Sequence, residues 1–140
     1  LGLSKCDSHY KTPIINANKE ELFKKDFKPF KVSKSLFAMT AHAIYSKYDS
    51  HNTATHSTIV IKEVIRNHMN FKGILMSDDI SMKSLKYSVE ENALKALHAG
   101  CNLVLHCNGN IREMSKLIKV IPRIDKFTQK KTSQFYKFLR

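Results

Sequence analysis

Three short, uninterrupted apolar runs, each followed by a segment of helical periodicity, constrain the fold of this chain more than any other feature. They are Leu36-Phe37-Ala38-Met39-Thr40-Ala41, Gly73-Ile74-Leu75-Met76-Ser77 and Asn102-Leu103-Val104-Leu105-His106-Cys107. A strand that is apolar along its whole length is buried on both faces, and a strand that feeds an amphipathic helix belongs to a βαβ unit. The pattern therefore predicts an α/β fold of parallel strands alternating with helices. After the first run, Ser57 is placed to cap a helix with Val60, Ile61, Val64, Ile65 and His68 on one stripe. After the second, Ser88-Val89-Glu90-Glu91 reads as a capping box opening a helix that carries Ala93, Leu94, Ala96 and Leu97 and stops at Gly100. After the third comes the turn Asn108-Gly109-Asn110, and then Ile111, Met114, Leu117, Ile118 and Ile121 recur until Pro122. A further helix is predicted over residues 20–35, with Leu22, Phe23, Phe27 and Phe30 near one face and Pro29 marking its first turn or a break.

Polar groups cluster just past each apolar run: His42 after the first, Asp78 and Asp79 after the second, His106 and Asn108 after the third. In a parallel α/β architecture that edge carries the ligand chemistry. Neighbouring strand residues face opposite sides, so Asp79 is expected to cap or pair locally, away from Asp78.

The chain has 140 residues, one domain's worth, with 24 Lys plus Arg against 12 Asp plus Glu and a net charge of +12. The positive charge is 20 Lys to 4 Arg, spread from Lys5 to Lys137, with no Trp. It lacks the concentrated, arginine-rich patch of a phosphate and base reader, so no nucleic-acid partner is expected. No apolar run approaches the roughly 18–20 residues that cross a bilayer, and the first residues lack the head and apolar stretch of a signal peptide, so no membrane partner is expected either. Cys6, Cys101 and Cys107 are odd in number and form no C-x-x-C, which points to a reducing, cytoplasmic compartment. Cys6, His9, His51 and His56 match no metal-ligand spacing, and neither a metal nor another cofactor is expected.

Five segments, in order, carry a specific resemblance. Asp7-Ser8-His9-Tyr10-Lys11-Thr12-Pro13 resembles the D-S-H loop, followed by a proline, of the bacterial β-N-acetylhexosaminidases of glycoside hydrolase family 3. Met39-Thr40-Ala41-His42-Ala43-Ile44-Tyr45 is similar to that family's M-T-A-H-x-x-Y strand end, and Ala54-Thr55-His56-Ser57 to its A-T-x-S helix entry. The segment from Phe71 to Met82 resembles the F-x-G-x-x-x-S-D-D-[LI]-x-M nucleophile strand, and the segment from Ala96 to Leu103 resembles the A-G-x-[DN]-L turn. A single short motif is common by chance, but five in register, over roughly residues 2 to 122, are specific.

The resemblance implies a retaining glycosidase that cleaves terminal β-linked N-acetylglucosamine, in peptidoglycan turnover, with an N-acetylglucosamine-containing saccharide or muropeptide as substrate. It places the nucleophile at Asp78 and the acid/base at His9, with Asp7 orienting the ring. A histidine suits that task because its ordinary pKa of about 6.5 lets it give and take a proton near neutrality. His42 is a candidate to line the sugar pocket, with a structural histidine as the equal alternative; His106 and Asn108 have less support.

A complete (β/α)8 TIM barrel takes about 200–250 residues, and three clear strands are visible here. The expectation is a partial barrel, about its C-terminal half, occupying residues 1–125, with a basic tail at residues 126–140 read as a solvated or amphipathic end. The chain begins just inside the catalytic loop, and Gly2 matches the last glycine of the family's K-H-[FI]-P-G-H-G segment. A truncated or split product is expected, with an open edge strand and, as partner, the missing barrel half or a second copy. The alternatives are a catalytically silent remnant of the family and, least favoured, a basic polyanion-binding protein.

Overall fold

The computed structural model describes residues 3–4, 6–31 and 35–138. The glycine match at Gly2 lies outside the described residues, as do residues 32–34 of the expected first helix, and residue 35 is not helical. In chain order the elements are β1 (Ile14–Ile15) and helix α1, which opens at Lys19–Glu21, widens into π-type turns at Leu22–Phe27 and ends at Lys28–Lys31. Next come β2 (Phe37–Met39), β3 (Ile44–Tyr45), a 3₁₀ turn at Ala54–His56 and the π-type helix α2 (Val60–His68). The chain continues through β4 (Ile74–Asp79), α3 (Val89–Ala99), β5 (Leu103–Leu105), α4 (Ile111–Val120) and α5 (Lys126–Phe138).

All three apolar runs become strands of one parallel sheet in the order β2-β4-β5. Phe37, Ala38 and Met39 pair with Ile74, Leu75 and Met76. A second, two-stranded parallel sheet pairs β1 with β3 and leads the chain from the N-terminal loop to the start of the helical layer.

One face of the main sheet is covered by α2 and α3. Leu75, fully buried, meets Ile61 of α2 and Ala96, Ala99 and Cys101 from the end of α3. The small side chains of α3 let it approach the strand closely. Gly100 ends it at φ +117°, a conformation L residues rarely adopt, and a Cβ there would sit 3.0 Å from Ile61 Cγ2. The capping box at the other end forms as the sequence predicts, between Ser88 and Glu91.

At the N-terminal ends of the strands, Arg66 of α2 donates to the carbonyls of Phe71 (3.1 Å) and Gly73 (2.8 Å) and to Asn102 Oδ1 (2.8 Å). Asn102 Oδ1 also accepts the Leu75 N–H at 2.9 Å. One guanidinium fork thus ties the last turn of α2 to the entrances of both β4 and β5.

Ala38 packs on the α2/α3 side, so its neighbour Phe37 points to the opposite face of the sheet. There Phe135 of α5 meets it edge-on at 5.0 Å between ring centroids, and Thr128 of the same helix is buried. The segment that the sequence sets apart as a tail is therefore an amphipathic helix packed on the sheet over residues 126–138.

Pro29 stands in the first turn of the α-helical stretch Lys28–Lys31 that ends α1, directly after the wide turns at Leu22–Phe27, in line with its expected place in a helix's first turn. Leu22 and Phe27 are buried on that helix, while Phe30 is 62% exposed. On α4 only Leu117 of the expected stripe is buried, and Ile111 and Ile118 are 73% and 77% exposed, because no described element packs beyond them. Among the described residues β2 and β5 are both edge strands, and beside β2 lies a cavity of about 610 Å³ lined by groups such as Phe27, Phe37, Tyr45 and Phe71. Among the described residues no helix is long and apolar enough to cross a membrane.

Leu75 is the joint between the sheet and both covering helices. Leu75→Ala is expected to cost about 2–5 kcal/mol, read as a lower denaturant midpoint at unchanged slope. A midpoint equal to that of the unsubstituted chain would contradict this packing.

Candidate active site

The C-terminal end of β4 is irregular. Met76 is opposite Leu103, so regular pairing would put Asp78 opposite Leu105; instead Asp79 is opposite Leu105. One extra residue is accommodated in β4, a β-bulge that contains Ser77 and Asp78. Ser77 is fully buried, and its Oγ accepts the Leu105 N–H at 3.1 Å.

Asp78 is half-buried, and its Oδ1 accepts the N–H of Asp79 at 2.8 Å. Among the described residues its Oδ2 takes no hydrogen bond. Asp79 faces a different set of partners: its Oδ1 accepts from Ser81 N–H (3.0 Å), Ser81 Oγ (2.8 Å) and Cys107 N–H (3.2 Å). Burial pushes the Asp79 carboxyl up, but the donors from Ser81 and Cys107 outweigh it and hold the group below its ordinary value. The adjacent carboxylates thus have separate tasks, Asp79 bracing the turn after the strand and Asp78 keeping an oxygen free.

Asp7 and His9 share a tight turn. Asp7 Oδ1 accepts both the His9 N–H (2.9 Å) and the ring Nδ1–H (2.7 Å), while the Asp7 carbonyl accepts from Tyr10 and Lys11. A carboxylate only accepts, so the ring proton of neutral His9 sits on Nδ1 and leaves Nε2 to face solvent. The side chains are 71% and 59% exposed for His9 and Asp7. The hydrogen bond to Asp7 raises the His9 pKa most, and the carboxylates of Asp78 and Asp79 add to it through space. The loop is fastened to the segment after β4, where Thr12 Oγ1 donates to the Ser84 carbonyl.

His42 is fully buried, with both ring nitrogens engaged. Its Nε2 donates to the Asp79 carbonyl (2.8 Å) and its Nδ1 meets Thr55 Oγ1 (2.8 Å). Burial pulls its pKa down more than the Asp79 carbonyl and the two carboxylates raise it, so the ring is neutral. In this arrangement no ring nitrogen is left for a sugar, and His42 acts on the site by holding the end of β4. His106 Nε2 lies 2.8 Å from Glu113 Oε2, and Asn108 donates to the same oxygen at 2.8 Å. Both rim residues are therefore tied to the first turn of α4. Sequence reasoning missed Ser77 and Thr55; the available signal was a polar side chain inside an otherwise apolar run and another two residues before a helix cap. Among the described residues no three His, Cys, Asp or Glu side chains converge as metal ligands.

Two titrations follow. Asp7→Asn is expected to lower the His9 pKa toward its ordinary value of about 6.5, seen as an acid shift of the His9 ring resonances; an unchanged midpoint would remove Asp7 from its role. His56, whose Nε2 donates to the Asn92 carbonyl, is pulled down to about 4 chiefly by burial. The unfolded chain therefore takes up a proton between pH about 6.5 and about 4 that the native ring refuses, and stability falls as pH falls through that window. His56→Gln is expected to flatten the dependence of Tm on pH there, and equal slopes for both proteins would contradict it.

Comparison with known proteins bears on this arrangement. The family described as Glycosyl hydrolase family 3 N terminal domain matches residues 1–134. A β-hexosaminidase of Actinobacillus pleuropneumoniae serotype 5b is 43% identical over 109 residues, covering 74% of this chain. The chain spans 31% of the length of that curated relative. CbsA from Thermotoga neapolitana superposes with a TM-score of 0.80 at 34% identity, over 98% of this chain and 35% of its own. NagZ from Neisseria gonorrhoeae, solved in complex with N-trifluoroacetyl-D-glucosamine, gives a TM-score of 0.81 at 26% identity, over 95% of this chain and 39% of its own. The α/β fold of parallel strands and alternating helices is thus shared with these enzymes as part of a barrel, and the chain belongs to glycosyl hydrolase family 3.

Proposed function

We propose that this chain carries the nucleophile and the acid/base of a retaining β-N-acetylhexosaminidase acting on terminal β-linked N-acetylglucosamine. The observation that carries the reading is the pairing of a strand-end carboxylate that keeps one oxygen free, Asp78, with an imidazole held through Nδ1 by Asp7 and within electrostatic reach of Asp78. In the first step an Asp78 carboxylate oxygen bonds to the anomeric carbon as the glycosidic C–O bond breaks, and His9 Nε2–H gives its proton to the leaving oxygen. In the second, neutral His9 takes a proton from water, the water oxygen bonds to the anomeric carbon, and the ester to Asp78 breaks. Asp7 holds the tautomer and stabilises the imidazolium. The exposed loop must close to bring Nε2 to the glycosidic oxygen, which assigns it a gating motion.

The substrate class proposed is an N-acetylglucosamine-containing saccharide or muropeptide of peptidoglycan turnover, handled in a reducing cytoplasm. Support for the sugar comes from the β-hexosaminidase relatives and from the glucosamine derivative bound to the gonococcal neighbour. The edges of β2 and β5, unpaired among the described residues, and the exposed Ile111 and Ile118 favour completion of the site by further barrel strands, from another barrel half or a second copy.

The test is chromophore release from an aryl N-acetyl-β-glucosaminide by the chain, alone and with the upstream half of a relative's barrel. Asp78→Asn is expected to lower the rate at least about a thousandfold. Unchanged turnover in that variant, or none from folded protein in either mixture, would overturn the reading.

A further inference from the structure

Up to Met76, β4 is held by ordinary main-chain pairing: Ile74 N–H meets the Leu36 carbonyl at 2.9 Å and Thr40 N–H meets the Met76 carbonyl at 2.9 Å. Beyond Met76 the support changes in kind. Leu105 N–H reaches Ser77 Oγ, Cys107 N–H reaches Asp79 Oδ1, and the Asp79 carbonyl is taken by His42 Nε2. Three side-chain groups thus surround the one residue, Asp78, whose neighbours have slipped out of register. Ile80 N–H then returns to the Leu105 carbonyl at 2.9 Å and closes the irregularity.

Ser77 is the member of this set nearest the slip. It is fully buried at the end of the apolar run Ile74-Leu75-Met76, so its hydroxyl is retained against the cost of burying a polar group. With Asp78 opposite Leu105, as regular pairing requires, the strand would continue its simple alternation. With Asp79 there, the carboxylate of Asp78 leaves the strand in a direction set by the bulge.

We propose that Ser77 is a positioning residue for Asp78: its Oγ receives the Leu105 amide in the slipped register, stabilises that register over the regular one, and so aims the Asp78 carboxylate. This rests on the reading of Asp78 as the nucleophile. A misdirected nucleophile loses rate more than binding, because reaction requires near-attack geometry while the sugar is held by other groups.

The test compares Ser77→Ala, Ser77→Cys and Ser77→Thr in the full chain under the turnover conditions above. Cys keeps the volume with a weak acceptor, and Thr keeps the hydroxyl. Amide exchange at Leu105 is expected to rise about tenfold in the Ala and Cys variants, as for loss of one hydrogen bond. The same two variants are expected to lose about 10- to 100-fold in kcat with KM within about twofold, and Thr is expected to restore both quantities. Unchanged Leu105 exchange would overturn the brace. Raised exchange with unchanged kcat would overturn the positioning role and leave Ser77 a stability residue. Absence of turnover in the unsubstituted chain would fall on the proposed function instead, and Leu105 exchange would still decide whether Ser77 holds the bulge.

Discussion

The parallel pairing of β4 with a neighbour on each side is the constraint on which the rest of this structure depends. It explains the apolar centres of the runs, Phe37–Met39, Ile74–Met76 and Leu103–Leu105, since α2 and α3 lie on one face and α5 on the other, with the central β4 the most deeply buried of the three. It also explains a division of labour along β4. At the entrance, Arg66 and Asn102 fix the strands through charged and amide groups aimed at main-chain atoms. At the exit, Ser77, Asp79 and His42 take over, and the ladder is no longer regular. A rigid lower half and a side-chain-braced upper half are what a site at the C-terminal edge of a parallel sheet requires.

The dyad loop is built on a different principle. Asp7 organises it by accepting four local contacts, two through one carboxylate oxygen and two through its carbonyl, and by fixing the tautomer of His9. Little of it is buried, and its firm attachment is at Thr12 and Pro13. The loop is thus fastened at its end, and the proposed acid/base role of His9 would call on its exposed part to move toward Asp78 and back within one cycle.

Much of this was legible in the sequence, for identifiable reasons. The three strands announce themselves by continuous hydrophobicity, α3 by its capping box and terminal glycine, and the family by motifs, those around His9 and Asp78 among them, that stand in its order. Asp79 could be separated from Asp78 by strand alternation alone. The bulge could not be read, because a one-residue register slip leaves no mark in the hydrophobic pattern, and Ser77 consequently looked like the last residue of a strand. His42 allowed two readings, and only the partners of both its nitrogens, one of them the carbonyl of a residue 37 positions away, place it against the backbone. The exposed face of α4 was misjudged because periodicity reports which residues share a face and says nothing of what packs on it.

The central claim is that the bulge presents Asp78 as the nucleophile. The most direct measurement is covalent trapping: the chain under turnover conditions is incubated with a fluorinated, slow-releasing N-acetylglucosaminide, digested and sequenced by mass spectrometry. The account predicts one sugar increment on the peptide containing residues 77–79, located at Asp78. An increment on Asp79 or on a carboxylate elsewhere, or turnover with no trapped species at Asp78, would contradict it.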